Sequence, residues 1–101
     1  MIQHYKSETY PFLCDFYDPD SNTYIELNAH WTHGKHFFDL TSQEDLKLLE
    51  KWKEKAKISK FYKNAIETWT VRDVKKREVA KKNGLKYLVF WNLKEVSIFI
   101  N

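Results

Sequence analysis

The sequence predicts an α/β fold in which helices flank a small mixed β-sheet, and two patterns support this prediction. Two short extended runs, residues 12–17 and Thr23–Leu27, are joined by a cluster of turn formers over residues 18–22, as in a hairpin. A third β-rich run, residues 85–91, follows a helical pattern over residues 73–83. A strand that is reached through a helix commonly runs parallel to its neighbour, whereas hairpin strands are antiparallel. The sheet is therefore expected to be mixed.

Length and composition limit the domain count and the compartment. With 101 residues, of which 43% are hydrophobic and 17% aromatic, the chain is expected to form one compact domain with a substantial core. The single cysteine, Cys14, rules out an internal disulfide and is typical of a reducing cytoplasm. The polar N-terminal segment is neither a signal peptide nor a membrane span, so we expect a soluble protein without membrane association. The two glycines provide no phosphate-binding glycine loop, which argues against nucleoside triphosphate chemistry.

A helix is predicted to begin near Ser42. Thr41 and Glu44 have the spacing of a capping box, and Asp45 adds negative charge to the first helical turn. Apolar side chains then recur at steps of three and four residues, at Leu46, Leu49, Trp52 and Ala56. This periodicity predicts an amphipathic helix, and we expect the stripe that contains Trp52 to lie in the core.

A second, basic helix is predicted over residues 73–83. Asp73 is expected to cap its N-terminus, and the pair Asn83 and Gly84 is a common helix end. Its cations are expected on an outer surface of the helix, where they would attract phosphate groups. These cations are Lys75, Lys76, Arg77 and Lys81.

The end of the chain is predicted to contain a strand and a final helix. Residues 85–91 include too many consecutive apolar side chains for a half-exposed strand, so we expect a buried strand beside the hairpin. Residues 92–101 fit either a helix or an edge strand. The helix is favoured because Asn92 can cap it.

Two carboxylates are expected to meet on one face of the hairpin. Side chains alternate along a strand, so Tyr24, Glu26 and Asn28 share one face. Glu26 interrupts an apolar run, and a buried carboxylate needs a partner or a metal ion to offset its desolvation. If Asp15 lies across from Glu26, the pair suits Mg2+, which binds one or two carboxylates and keeps several waters. Taken alone, Asp15 is also explained as a solvated residue at the end of a strand.

Three histidines, His30, His33 and His36, follow this pair at steps of three residues. Structural zinc is disfavoured because such sites usually use several cysteines. Two interpretations remain open: proton transfer or hydrogen bonding at a phosphodiester, and an exposed polar loop. The isolated His4 is expected at the surface.

The run PFLCDFYDPDSNTYIELNAHWTHGKH, residues 11–36, resembles the core of the PD-(D/E)XK nuclease superfamily. It is most similar to the very-short-patch-repair-like branch, which includes phage-borne homing endonucleases. Residues 69–91 are similar to the same branch in their order of Asp, Lys-Arg, helix, Gly and closing strand. The two stretches cover about half the chain, and the resemblance implies a restriction-endonuclease-like core.

This resemblance implies roles for individual residues. Asp15 and Glu26 correspond to metal ligands, and Asn28 stands where the superfamily motif has a lysine. His33 and His36 correspond to acid–base or phosphate-contacting residues. The implied activity is Mg2+-dependent DNA cleavage, with Mn2+ as a substitute, by a protein encoded by a phage or mobile element and acting in the cytoplasm of a bacterial host. Cutting both strands at one site would require a homodimer or a specificity partner.

Charge is distributed unevenly, as expected of a protein that binds DNA. The net charge is +3, and 15 of the 17 lysines and arginines follow position 46, whereas the acidic pair precedes it. Besides the basic helix, His30 and Lys35 are candidate nucleic-acid contacts. Lysines also interleave with aromatic residues over residues 55–69, which fits either DNA contact or an ordinary solvated helix face.

Two departures from the family pattern favour an alternative function. Relatives usually have a helix with another glutamate upstream of the first catalytic strand, whereas eleven residues precede Phe12 here. Either Glu8 replaces that glutamate or that part of the core is missing. Asn28 also lacks the positive charge of the motif lysine. The alternative is therefore a catalytically degenerate nuclease fold that binds nucleic acid or protein as an accessory or inhibitor, although the positive net charge argues against a DNA mimic.

Overall fold

The fold is built on a four-stranded mixed β-sheet. The computed structural model describes residues 1–100, with Ile100 described by its backbone alone. The sheet has the order β1-β2-β3-β4, formed by Ile2–Tyr5, Cys14–Asp18, Thr23–Leu27 and Lys86–Phe90. The first three strands are successively antiparallel, and β4 runs parallel to β3. The predicted mixed α/β architecture is confirmed.

The chain forms two compact units. The first unit comprises residues 1–29 and the chain from Lys75 onward, and the second comprises residues 30–74. The helical elements are a 3-10 turn at Trp31–His33, α1 at Gln43–Ala56, α2 at Lys60–Glu67, a π-helical turn at Thr68–Arg72, α3 at Asp73–Lys82 and α4 at Leu93–Ile100. Within residues 1–100, none of these helices combines the length and hydrophobicity needed to span a bilayer.

The predicted hairpin is confirmed, although its first strand begins later than expected, at Cys14. Phe16 pairs with Ile25 and Tyr17 pairs with Tyr24, so the two pairs lie on opposite faces of the sheet. The edge strand β1 was not predicted, because its residues are polar or solvent-exposed and lack an alternating apolar pattern.

An aromatic core covers the Tyr24 face of the sheet. Tyr10, Cys14, Tyr24 and Ala80 are buried there, and the rings of Tyr10 and Tyr24 lie 5.2 Å apart. Ala80 belongs to α3, so this helix packs on the same face as Tyr24. The first unit therefore places α3 directly over the central strand β3.

The predicted buried strand is wrong in one respect. β4 lies beside β3 as expected, but it is the edge of the sheet, and Leu88 is exposed. Its apolar run is covered only in part, by α4, where Phe90 and Phe99 contact each other at 5.3 Å between ring centroids. The predicted tail helix is confirmed through residue 100, with Asn92 Oδ1 accepting from the Glu95 N–H at 2.9 Å. Asn101, the last residue of that prediction, lies outside the described residues.

The second unit has its own core, made largely of tryptophan and helix residues. Phe38, Trp52, Ala65 and Trp69 are buried together, which confirms the predicted place of Trp52. Residues Leu46 and Leu49 pack against this cluster, so the apolar stripe of α1 is also as predicted.

Two predicted helix caps are corrected. The cap of α1 is Ser42 rather than Thr41, and its hydroxyl accepts from the Asp45 N–H at 3.2 Å. Asp73 is not a cap, because α2, the π-helical turn and α3 follow one another without an interruption and Asp73 itself has helical backbone angles. The predicted end of α3 is confirmed by Gly84, which has a φ of 63°.

Gly34 and Gly84 provide a matched test of packing, because both have positive φ but different surroundings. A Cβ at Gly34 would overlap the buried Trp69 indole, whereas a Cβ at Gly84 has no neighbour within 4 Å. Gly84→Ala is expected to cost about 1 kcal/mol of unfolding free energy from backbone strain alone. Gly34→Ala is expected to cost about 3 kcal/mol, because overpacking adds to that strain. Urea unfolding measures both, and equal losses would contradict the tight packing of Trp69.

Candidate functional site

Glu26 is a buried carboxylate at the centre of the first unit, with only 2% of the residue exposed. The Tyr10 hydroxyl donates to its Oε2 at 2.6 Å, and the Asp15 backbone N–H donates to its Oε1 at 3.1 Å. The Lys76 ammonium lies 3.2 Å from Oε2. A carboxylate has about four lone-pair positions, and three of them are used by these donors. Its desolvation is therefore offset by one cation and two neutral donors.

Three elements bring these partners together. Glu26 lies two residues after Tyr24 on β3 and so faces the same side of the sheet, which α3 covers. Lys76 precedes the buried Ala80 by four residues, which places both on one face of α3. The lysine stem can thus run along the sheet while its ammonium reaches Glu26.

Asp15 lies on β2, the other strand of the hairpin, and contacts β3 from there. Its Oδ2 accepts from the Leu27 backbone N–H at 2.7 Å, while its own N–H binds Glu26. Asp15 and Glu26 are therefore in contact through the Asp15 backbone, and the predicted convergence of their two carboxylates on one metal position stays a prediction. Asp15 is half-buried rather than fully buried, and its Oδ1 accepts no described hydrogen bond.

Asn28 is buried at the end of β3, and its backbone N–H donates to the Phe90 carbonyl at 2.7 Å. This bond continues the parallel pairing of β3 and β4 beyond Leu27. Asn28 brings no charge to Glu26. The charge comes instead from Lys76, which was predicted as part of an outer basic surface and is only 23% exposed in its side chain. A spacing of four residues from Ala80 was the one signal in the sequence that could have indicated this inward direction.

Asp15 and Glu26 offer carboxylate oxygens, the kind of ligand atom that Mg2+ takes. The ion is commonly held by one or two carboxylates, with waters in its other positions. Within the described residues, Asp15 Oδ1 accepts no hydrogen bond and Glu26 retains one unused lone pair. The Lys76 ammonium already neutralises the charge of Glu26, which opposes a second cation at that carboxylate. Within residues 1–100, no cluster of three or more His, Cys, Asp or Glu side chains is arranged around a metal position. A site here would therefore consist of these two carboxylates alone.

Tyr10 is kept in its neutral form by its surroundings. Burial raises the pKa of Tyr10 above its ordinary value, and the negative charge that the neighbouring Tyr87 would carry and the hydrogen bond to Glu26 raise it further. The phenol consequently donates to Glu26 across the whole physiological pH range. Burial also raises the pKa of the thiol of Cys14, the single cysteine of the sequence, so Cys14 is poorly suited to act as a nucleophile.

Two of the three histidines form close pairs with carboxylates in the second unit. His33 Nδ1 lies 2.7 Å from Asp73 Oδ2, and His36 Nε2 lies 2.7 Å from Asp45 Oδ1. Both aspartates are buried, and in the pair of a neutral histidine with an ionised carboxylate the histidine nitrogen is the donor, because such a carboxylate can only accept. The free nitrogen is then Nε2 in His33 and Nδ1 in His36. Such carboxylate–histidine pairs fix the ring orientation and tautomer that proton transfer requires.

The aspartates of these pairs were not predicted as site residues. Asp45 was interpreted as a charge at a helix end, yet it also accepts from the Asp39 backbone N–H at 2.9 Å. The His36 carbonyl accepts from the Trp69 indole N–H at 2.8 Å, which ties the histidine segment to the core of the second unit. The burial of Asp45 and Asp73 depends on long-range packing, which local sequence spacing does not reveal.

The remaining predicted residues are at the surface or close to it. His30 is exposed and caps the 3-10 turn through Thr32, and Lys35 is exposed with a φ of 66°. On α3, Lys75 and Lys81 are exposed and form no described ion pair, whereas Arg77 is half-buried. Their predicted contact with nucleic acid stays a prediction.

Removal of the Tyr10 hydroxyl tests the hydrogen bonding of Glu26. Tyr10→Phe is expected to cost about 2 kcal/mol of unfolding free energy at pH 7, because a bond to a charged acceptor is lost. Above the ordinary tyrosine pKa of about 10, the unfolded chain releases the phenol proton while the folded protein keeps it. Wild-type stability should therefore fall by up to about 1.4 kcal/mol per pH unit more than that of Tyr10→Phe.

Denaturant unfolding between pH 7 and 11 measures this difference. Tyr62→Phe is the matched control, because the one hydrogen bond of its hydroxyl among the described residues is an exposed contact with Lys55. If Tyr10→Phe and Tyr62→Phe show the same cost and the same alkaline slope, Tyr10 does not stabilise the buried carboxylate.

The comparisons with known proteins give no family for this chain. No protein-family model, no curated protein and no solved structure matches it. The four-stranded mixed sheet with its helices is an α/β architecture, which does not by itself identify a family. Function is therefore inferred from the site residues and their contacts.

Proposed function

We propose that this protein is a Mg2+-dependent DNA endonuclease of the PD-(D/E)XK type with a restriction-endonuclease-like core. The observation that carries the proposal is that Asp15 and Lys76 both contact Glu26. Asp15 and Glu26 lie on adjacent strands, where the Asp15 backbone N–H donates to the Glu26 carboxylate, and a lysine from α3 lies 3.2 Å from that carboxylate. In the motif, a lysine two residues after the glutamate carries this charge. Here Lys76 supplies it from a different element, so the uncharged Asn28 does not argue against catalysis.

Each residue has a distinct task in this proposal. Asp15 and Glu26 would hold Mg2+, which supplies Lewis acidity toward the phosphate and lowers the pKa of a bound water. The Lys76 ammonium stabilises negative charge on the phosphate group as it increases during the reaction. Tyr10 keeps the Glu26 carboxylate in one orientation through its 2.6 Å hydrogen bond.

The basic surface of α3 supports DNA as the substrate. Lys75, Lys81 and Lys82 are exposed on this helix, which also carries Lys76. Cations that form no ion pair within the described residues are available to neutralise phosphates.

Plasmid cleavage tests the activity directly. Purified protein with Mg2+ is expected to nick or linearise supercoiled plasmid, and EDTA should abolish the reaction. Asp15→Asn and Glu26→Gln should each lower the rate at least about 100-fold, because each removes a ligand charge. Lys76→Gln should lower it about 100-fold through loss of transition-state stabilisation.

Lys75→Gln is the matched control for Lys76→Gln, because the neighbouring lysine is exposed and has no carboxylate partner among the described residues. It should weaken DNA binding slightly and leave the maximal cleavage rate within about twofold of wild type. The endonuclease proposal fails if the wild type does not cleave, or if Asp15→Asn and Glu26→Gln cleave as fast as wild type.

A second function has its own supporting observation. Glu26 is already bonded by Tyr10, Asp15 and Lys76, an arrangement that also suits a purely structural buried ion pair. On this alternative, the protein is a nuclease-like module that binds nucleic acid or protein without catalysis. Tight DNA binding that is unchanged by EDTA, together with absent cleavage, would select it.

A further inference from the structure

Two large apolar side chains stand in solvent where α1 turns into α2. Ile58 is 94% exposed and Phe61 is 77% exposed, and only two residues separate them. Phe61 lies in the first turn of α2, whereas Ile58 lies in the connection that follows α1. Exposed apolar residues that are scattered singly are common, whereas apolar residues that cluster at a surface are a feature of contact sites.

Lysines surround this pair. We define the basic tip as residues 55–63, which contain four lysines and no acidic residue. Lys57 is paired with Glu54 at 2.9 Å, and Lys55 lies over the Tyr62 ring at 5.1 Å. Lys60 and Lys63 are exposed and form no described ion pair or hydrogen bond. The tip therefore combines an apolar end with free positive charge.

This combination favours a nucleic-acid partner over the alternatives. A second copy of the chain would bring two lysine-rich tips together, at an electrostatic cost. A lipid surface requires a helix with a broad apolar face, whereas α2 has eight residues and the tip exposes only two large apolar side chains. Duplex DNA matches both features, because apolar wedges such as Ile and Phe enter base steps while lysines contact the flanking phosphates.

We propose that the basic tip is a wedge that inserts Ile58 and Phe61 between base pairs of duplex DNA. Lys60 and Lys63 contact the phosphates on either side. The inference rests on the proposed DNA endonuclease function and adds that this protein distorts its substrate. Unstacking should occur most readily at pyrimidine–purine steps, which are the most easily kinked.

Fluorescence of 2-aminopurine measures the unstacking. A short duplex carries this base at a central TA step. It is titrated with protein in Ca2+ instead of Mg2+, and a gel checks that the duplex stays intact. Wild type should raise the fluorescence on binding. Ile58→Ser combined with Phe61→Ser should abolish the rise and weaken affinity about tenfold, with an unchanged salt dependence. Lys60→Gln combined with Lys63→Gln should instead reduce the salt slope of log K by about 2.

Leu40→Ser combined with Val71→Ser is the matched control. Both residues are exposed apolar side chains of the same unit, at 73% and 53%, and neither lies in the basic tip. The control should unstack DNA as wild type does. Circular dichroism should show that all variants retain the wild-type fold, since each altered side chain is exposed.

Three results would overturn the wedge: no DNA binding, binding without a fluorescence rise, or an equal rise with the serine variant. Binding to phosphatidylserine vesicles that depends on Ile58 and Phe61, without DNA unstacking, would assign the tip to membranes instead. The two proposals fail separately. A protein that unstacks DNA but does not cut it with Mg2+ refutes only the endonuclease, and one that cuts without unstacking refutes only the wedge.

Discussion

Burial of the Glu26 carboxylate constrains the whole first unit. Removing a charge from water costs several kcal/mol unless close partners replace its hydration. Those partners come from three separate places: the loop that carries Tyr10, strand β2 through Asp15, and helix α3 through Lys76. Each must therefore be held at a fixed distance from β3. The aromatic core under α3 provides this, because Ala80 and Tyr24 bring helix and strand into contact one turn away from the charges.

The same constraint leaves the two carboxylates differently exposed. Glu26 is buried and bonded by three donors, whereas Asp15 beside it is half-buried and its Oδ1 accepts no described hydrogen bond. The pair is thus rigid on the side of Glu26 and accessible on the side of Asp15. The proposed catalysis needs both properties, because the metal ligands must be held rigidly while one side of the site stays accessible to the substrate. The histidine–aspartate pairs of the second unit follow the same principle, since buried Asp45 and Asp73 orient rings that remain partly exposed.

Several parts of this structure could be predicted from sequence, because they depend on local chemistry. The turn formers at residues 18–22 produce the hairpin and the alternation along β3 determines which of its side chains share a face, so the contact between Asp15 and Glu26 across the hairpin was predictable. The burial of the apolar stripe of α1 was likewise predictable from the helical spacing of its residues. Lys76 was not placed correctly, because its partner lies 50 residues earlier and its direction depends on how α3 packs. Asp73 was mistaken for a cap, since nothing in the sequence indicates that the π-helical turn continues α2 into α3.

Calorimetric titration with Mn2+ tests most directly whether Asp15 and Glu26 form a metal site or only a structural ion pair. Mn2+ prefers the same oxygen ligands as Mg2+ and binds such sites more tightly. The account predicts one bound Mn2+ per wild-type chain and loss of that binding in both Asp15→Asn and Glu26→Gln. Absence of binding to a folded wild-type protein, or binding that both substitutions leave unchanged, would contradict it.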